Sequence, residues 1–348
     1  MKWSLMPATR FTEFAADWAL LADAAGMPPA VAPEFVGPLL ATFGDPRALL
    51  ARCEDGGSAV AMGIVVPAGR GWTTLQPAQA PIGLWLQRPD LDTAILMRGL
   101  LRALPGFPLV LGLTELDPDL VPRPFDAGGV RTLDYIDTAR VTVSGSFDDY
   151  WQARGKNLRG NLKKQRTRLA KDGIAPRLEI VREPAAMAAA VADYARLEST
   201  GWKGGGGTAV TPDGPQARFY AAMMEAFARR GAARAYRYWY GDRLAAMDLC
   251  IEDARCLIVL KTAYDEAVAD GTSPALLMRE EATRGLFDEG RIERIEFYGR
   301  VMEWHTRWTQ EVRRLYHVNY YRWPLLARLH AALRAKPRNA EAEVTKPE

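Results

Sequence analysis

Phe11, Phe14, Trp18 and Leu21 recur at spacings of three and four, one apolar stripe that predicts a helix near the start of the chain. Pro28, Pro29, Pro33 and Pro38 then predict short broken pieces. Ser58–Val66 and Trp72–Leu75 read as strands around a Gly/Pro-rich turn, with Ile82–Leu86 as a further strand. Asp92–Leu104 carries Ile95, Leu96, Leu100, Leu101 and Leu104 at helical spacing, and Pro108–Leu113 is a short apolar strand. Leu133–Val143 alternates well enough for a strand or a hairpin. The first 140 residues are therefore expected to be mixed α/β, with no motif inside them.

Residues 144–173 change character. Ser146 with Asp149 three positions on predicts a capping box, and Phe147, Trp151, Leu158, Leu162 and Leu169 share one face of the helix behind it. The other faces carry Arg154, Lys156, Arg159, Lys163, Lys164, Arg166, Arg168 and Lys171, and Asp172-Gly173 ends the run. Arg177–Val181 reads as a strand, Pro184–Glu198 as a helix, Gly201–Thr211 as a glycine-rich loop and Gln216–Arg230 as a helix. Ala233–Tyr240 and Leu244–Ile251 are strands joined by Gly241-Asp242, a hairpin signal, and Cys256–Ala263 is the next strand. A polar loop follows, then a helix with Ser273 as its N-cap and Pro274 in its first position, running to about Asp288. Ile292–Phe297 and Thr309–Tyr316 complete the strands, Pro324–Leu333 is a terminal helix, and residues 336–348 form a polar tail expected to be disordered. A meander leading into a strand–helix–strand unit implies a mixed sheet that splays beside Cys256–Ala263.

Composition narrows the class. The chain has 348 residues, 48% hydrophobic and 25% charged, which excludes wholesale disorder and, at roughly 150 residues per domain, favours two domains or one large one. The longest apolar runs are far short of the ~20 residues of a membrane-spanning helix, and the first residues lack a signal-peptide pattern, so a cytoplasmic protein is expected. Three scattered cysteines give no disulfide framework, and three histidines without a CxxC give no zinc site. A net charge of +3 does not mark a dedicated nucleic-acid binder.

Six places carry candidate chemistry. The amides of Ser273, Ala275 and Leu276, free at a helix start and aided by its dipole, suit an anion, although every helix has such an end. Lys261 lies in an apolar strand and either shifts its pKa or reaches the sheet edge, while Tyr264 beside it is either a proton donor or a packing residue. Asp248 interrupts the strand LAAMDLCI and is either a general base or an edge-strand surface group. Glu296, Tyr298 and Arg300, with Trp304-His305 after them, cluster at the last strand of the unit. Trp202 and Lys203, ahead of Gly204–Gly207, border a substrate or anchor a surface loop. The eight positive charges of 154–171 form a solvated face or hold a phosphate-rich partner.

Phe147–Leu169, the LESTGWKGGGGTA stretch at Leu197–Ala209 and KTAYDEAVADGTSPALLM at Lys261–Met278 together resemble the CelD-type acetyltransferases. These belong to the GNAT superfamily and are linked with cellulose and exopolysaccharide biosynthesis. The resemblance covers roughly residues 145–325. The family's SPG is Ser273-Pro274-Ala275 here, its aspartate at the fourth core strand is Glu296, and its later tyrosine-lysine pair is Trp304-His305. What the resemblance implies is an α/β fold of tandem GNAT-like domains: a degenerate one over 1–143, an acyltransferase domain over 144–335 and the tail beyond. It implies an acyl-CoA cosubstrate, acetyl-CoA or another, held along Gly271, Thr272, Ser273, Pro274, Ala275 and Leu276, with no metal. The acyl group would pass directly to an amine or hydroxyl of a small-molecule or saccharide acceptor bordered by Trp202 and Lys203. Asp248, Lys261, Tyr264, Glu296, Tyr298 and His305 are the catalytic candidates. A Fem-type transfer from aminoacyl-tRNA and a non-catalytic role in polysaccharide synthesis are the alternatives; the small net charge disfavours tRNA, and DNA is not expected.

Overall fold

The computed structural model describes residues 1–199, 210–211, 213–268 and 271–335. In the first half, β1 (Lys2–Pro7) leads into α1 (Ala15–Ala24) and α2 (Pro33–Phe43). The meander β2 (Leu49–Asp55), β3 (Ser58–Ala68) and β4 (Gly71–Thr74) follows, then β5 (Trp85–Gln87), α3 (Thr93–Ala103), β6 (Val110–Leu116) and β7 (Val130–Thr142). The second half adds α4 (Phe147–Gln152) and α5 (Lys156–Lys171), then β8 (Pro176–Val181), α6 (Pro184–Ser199) and α7 (Pro215–Ala228). Its meander is β9 (Ala233–Tyr240), β10 (Arg243–Glu252) and β11 (Cys256–Tyr264), followed by α8 (Pro274–Glu289), β12 (Arg294–Phe297), α9 (Glu303–Trp308), β13 (Val312–Tyr321) and α10 (Pro324–Ala335).

Apart from β5 in the first and α9 in the second, the stretches β1–β7 and β8–β13 repeat one order of elements: a strand, two helices, a three-strand meander, a helix and two strands. Each meander ends in a parallel pair, β4 with β6 and β11 with β12, and each pair is bridged by the helix a parallel connection needs, α3 or α8. The last strands are exchanged. β7 of the first half pairs with β12, Ala139 opposite Phe297, while β13 of the second half pairs with β6, Tyr320 opposite Leu111. β7 and β13 also pair with each other, so one sheet of thirteen strands runs β1-β2-β3-β4-β6-β13-β7-β12-β11-β10-β9-β8, with β5 attached to β3. The fold is mixed α/β with one large mixed sheet.

Helices cover both faces. Trp18, Phe35 and Leu39 meet Met187, Phe219 and Met223 in one core that spans both halves, with the Phe35 and Phe219 rings 5.4 Å apart. The opposite face is covered by α3 in the first half and by α5 and α8 in the second.

Several expectations need correction. The proline-rich stretch is not merely broken: Pro33 starts α2, where no donor is needed, and Pro38 lies inside it, where the helix forgoes one backbone hydrogen bond. β1 and β2 were not expected, since Lys2–Pro7 and Leu49–Asp55 mix charged and apolar residues without clean alternation. The helix expected over 144–173 is two helices, interrupted between Gln152 and Lys156, where Gly155 is the N-cap of α5. Ser146 does cap the first, accepting the Asp149 amide at 3.0 Å. The final strand begins at Val312 and runs to Tyr321, while Glu303–Trp308 before it is helical.

Candidate active site

β11 pairs with β10 as far as Tyr264 but with β12 only through Cys256, Leu257 and Ile258. Beyond Ile258 the two parallel strands part, leaving the edge of Val259–Tyr264 open. Two cavities meet this gap and share Val259, Leu260, Lys261 and Tyr298 in their walls. One, of about 420 Å³, is completed by Gln79 and Pro81 of the first half and by Gln216 and Tyr220 of α7. The other, of about 140 Å³, is completed by Thr262, Arg279, Phe297, Trp304 and His305.

The smaller cavity is built around Arg279 of α8. Its Nη2 donates to Asp248 Oδ2 at 2.8 Å and to Thr262 Oγ1 at 3.0 Å, and its guanidinium lies 4.6 Å from the Trp304 ring centre. Asp248 is therefore neither on an edge nor at the surface. It is buried and ion-paired, with burial pushing its carboxyl up and Arg279 opposing that. Its Oδ1 and Arg279 Nη1 are both buried without a hydrogen-bond partner. His305 stacks on Trp304, ring centres 3.6 Å apart, and its Nδ1 accepts the Met302 amide at 2.9 Å. Burial, aided by the Arg279 charge, lowers its pKa to about 4. The ring is neutral at pH 7 with its proton on Nε2, which makes it a donor.

Tyr298 belongs to both cavities. Its hydroxyl donates to Asp117 Oδ2 at 3.2 Å, just past the end of β6. Arg313 of β13 binds the same carboxylate through Nε and Nη2, donates from Nη2 to Glu296 Oε2 at 2.8 Å, and lies 5.2 Å from the Tyr298 ring centre. Burial pushes the Tyr298 phenol well up, with Glu296 and Asp117 adding to it. Burial also raises the Glu296 carboxyl, against the pull of Arg313. Lys261 lies 4.0 Å from Glu198 Oε1 and 5.7 Å from the Tyr220 ring centre; Glu198 also accepts the Tyr194 hydroxyl at 2.9 Å. Tyr264 ends β11 at the surface, 40% exposed, and lines neither cavity.

The loop Gly271–Leu276 leads from β11 into α8. Of the three amides expected to be free, that of Ser273 donates to Gln165 Oε1 at 2.8 Å and that of Leu276 to the Ser273 carbonyl at 3.0 Å. Only Ala275 keeps an unengaged N–H among the described residues. Ser273 occupies the N-cap position without a capping hydrogen bond from its side chain. Pro274 is buried, and Thr272 donates to the Val268 carbonyl at 3.1 Å. Gly271 has φ +75°, and a Cβ there would stand 1.6 Å from Arg168 Nη1. The basic helix α5 thus lies against the start of α8, through Gln165 and Arg168, and the two features the sequence offered separately as anion sites are one place. Arg166 is not free for an anion there; it is bound to Glu280 and Glu281 of α8. Trp202, Lys203 and Gly204–Gly207 lie outside the described residues.

Asp117, Glu198, Arg279 and Arg313 were missed in the sequence. Each has an apolar residue on one side only, unlike Asp248 between Met247 and Leu249, and nothing local identifies its partner on another element. Among the described residues no group of three or more His, Cys, Asp or Glu side chains is set to hold a metal ion, and no helix is long and apolar enough to cross a membrane.

Residues 156–308, from the start of α5 to the end of α9, match the family model of the acetyltransferase (GNAT) domain. No curated protein matches the chain in sequence. Among solved structures, the C-terminal domain of a candidate lysylphosphatidylglycerol synthetase from Agrobacterium fabrum is similar, with TM-score 0.57 and 13% identity over 95% of this chain and 99% of that one. A conserved protein of unknown function from Bacteroides thetaiotaomicron is similar at TM-score 0.54 and 9% identity, over 92% and 99% of the two chains. FemX is similar at TM-score 0.50 and 10% identity, over 94% and 99%. At such identities the likeness carries the fold alone. The chain is a mixed α/β protein whose residues 156–308 match the acetyltransferase (GNAT) domain model.

Proposed function

We propose that the second half transfers an acyl group, acetyl or another, from an acyl-CoA to an amine or hydroxyl of a small-molecule or saccharide acceptor. The observations that carry this are the parting of β11 from β12 beyond Ile258 and, at the start of the helix that follows β11, the approach of α5, with Arg168 against Gly271 and Gln165 on the Ser273 amide. An unengaged amide, a glycine whose Cβ would collide with the guanidinium and a cationic helix fit a pyrophosphate. An extended thioester arm would follow the open edge of β11. We read residues 1–143 and 144–335 as tandem GNAT-like domains that exchange their last strands, in a chain of CelD type serving exopolysaccharide synthesis in the cytoplasm.

In this reading the acceptor nitrogen or oxygen bonds to the thioester carbonyl carbon and the carbon–sulfur bond breaks. The acceptor's proton leaves through water to Asp248 or Glu296, and Tyr298, held by Asp117, returns a proton to the thiolate. Lys261 and His305 supply donors from the cavity walls. Tyr264, at the mouth, has a lesser part. The FemX-like fold and the lysines of α5, Lys156, Lys163, Lys164 and Lys171, which make no ion pair among the described residues, also suit aminoacyl-tRNA as the donor.

The deciding experiment is calorimetric titration of acetyl-CoA into the wild type and Ala275→Glu, with circular dichroism as the folding control. The carboxylate satisfies the helix dipole and repels phosphate, so the variant folds and binds about a hundredfold more weakly. A folded variant that binds like the wild type overturns the assignment, and tRNA binding by the wild type without acetyl-CoA binding supports the other donor.

A further inference from the structure

Far along the chain from the gap residues, three segments meet at one end of β6 and β13. Arg322, following β13, donates from Nε to the Pro108 carbonyl at 2.7 Å and from Nη2 to the Leu101 carbonyl at 3.0 Å. Leu109 in turn donates its amide to the Arg70 carbonyl in the β3–β4 turn. On this platform the Phe107 and Trp323 rings lie 6.1 Å apart, with the Arg322 guanidinium 4.1 Å from the Phe107 ring centre. Phe107 is 63% exposed and Trp323 49%; Leu325 and Leu329, one turn apart on α10, are 64% and 52% exposed. Two exposed rings in contact, with two exposed leucines one turn apart on the helix that begins just after Trp323, are not the scattered single exposures of an ordinary protein.

Two further observations say what the surface faces. The chain segments that carry these side chains, 93–114 and 312–335, contain no Asp or Glu. Arg70, Arg102 and Arg328 are exposed and make no ion pair among the described residues. Most exposed arginines elsewhere have acidic partners, among them Arg10 with Glu13, Arg47 with Asp45, Arg88 with Asp90 and Arg314 with Asp137. Phe107 also holds φ +50°, a left-handed conformation that is strained for a bulky residue. The chain keeps an aromatic side chain at a turn position where glycine would cost less, and keeps it in solvent.

We propose that this face docks the protein onto an anionic lipid bilayer. Trp and Phe at headgroup level, leucines entering the acyl boundary and arginines meeting lipid phosphates are the chemistry of interfacial binding. An acidic protein partner would offer the arginines the same charge but would bury the aromatic and leucine side chains only with a matched apolar surface, which a bilayer supplies without one. The docking does not rest on the acyltransfer reading, since none of these residues lines the gap.

The test is co-sedimentation of the full chain with vesicles of phosphatidylcholine, with and without phosphatidylglycerol. Binding is expected to the anionic vesicles alone and to fall as salt rises, because the Debye length shrinks from ~10 Å at 0.1 M to ~3 Å at 1 M. Arg102→Gln and Arg328→Gln should each weaken it roughly fivefold, and Leu325→Ser with Leu329→Ser should abolish it without changing the melting temperature. Phe107→Gly separates surface from fold: it relieves the backbone and keeps stability while weakening vesicle binding. Equal sedimentation with both vesicle types, binding unchanged in these variants, or a dimer in solution that the leucine changes dissolve would each overturn the proposal.

Discussion

The Tyr298 hydroxyl, in the second half, donates to Asp117 Oδ2, in the first, at 3.2 Å. If Tyr298 is the proton donor, Tyr298→Phe should fold and lose about 10²-fold to 10⁴-fold in kcat with little change in acyl-CoA KM. Asp117→Asn tests the positioning. It removes one of the negative charges that hold the phenol up, so the alkaline limb of the kcat profile should move to lower pH. A profile that does not move returns Asp117 to a structural part.

Arg313 stands between Asp117 and Glu296, with its side chain 10% exposed and theirs 1% and 3%. Arg313→Met removes the close cationic partner of two buried carboxylates, leaving Glu296 only the longer Arg294 contact at 3.9 Å, and should cost about 3–5 kcal/mol in urea unfolding. Arg313→Lys keeps the charge and loses the fork, so it should fall between the two.

Two groups titrate with opposite signs. His305 is neutral in the fold, with a pKa of about 4 against an ordinary 6.5. Between those values the unfolded chain binds more protons, so this group's contribution to stability falls as pH drops from 6.5 to 4, by on the order of 3 kcal/mol. Burial raises Glu115 from 4.5 to about 7, against a hydrogen bond from Tyr135. Its folded form binds more protons, so its contribution is full below 4.5 and is lost as pH rises through 7. The wild-type melting temperature should therefore vary little between pH 4 and 7. His305→Asn should expose a fall with rising pH, and Glu115→Gln a rise.

At the start of α8, Arg168→Glu should weaken acetyl-CoA binding with a reduced salt slope and leave stability unchanged, because Arg168 is 55% exposed and only 3.9 Å from Asp172. Gly271→Ala should weaken it as well, by displacing that guanidinium. Titration at two salt concentrations reads both.

The second half was largely legible because its meander is punctuated by a glycine hairpin and its parallel pair by the Ser-Pro helix start. Periodicity and turn chemistry are local, and so were these elements. β1 and β2 were not legible, since their charged residues find partners on other elements: Arg52 of β2 reaches Asp17 of α1 at 2.7 Å. Asp248 was visible as an interruption, but its partner Arg279 lies 31 positions away on another element. Asp117 and Tyr298 are 181 positions apart, and no sequence pattern connects them.

The exchanged strands set the order in which the protein can be completed. β6 is bordered on one side by β13, so the sheet of the first half stays open along that edge while some two hundred further residues are made, Leu116 waiting for Tyr316. During synthesis the first half presents an unpaired apolar edge that only the last strand of the chain can close. Cutting the chain between the halves would leave each fragment without its border strand. The cleaved pieces should fold only together, as two chains that complement each other into a single body.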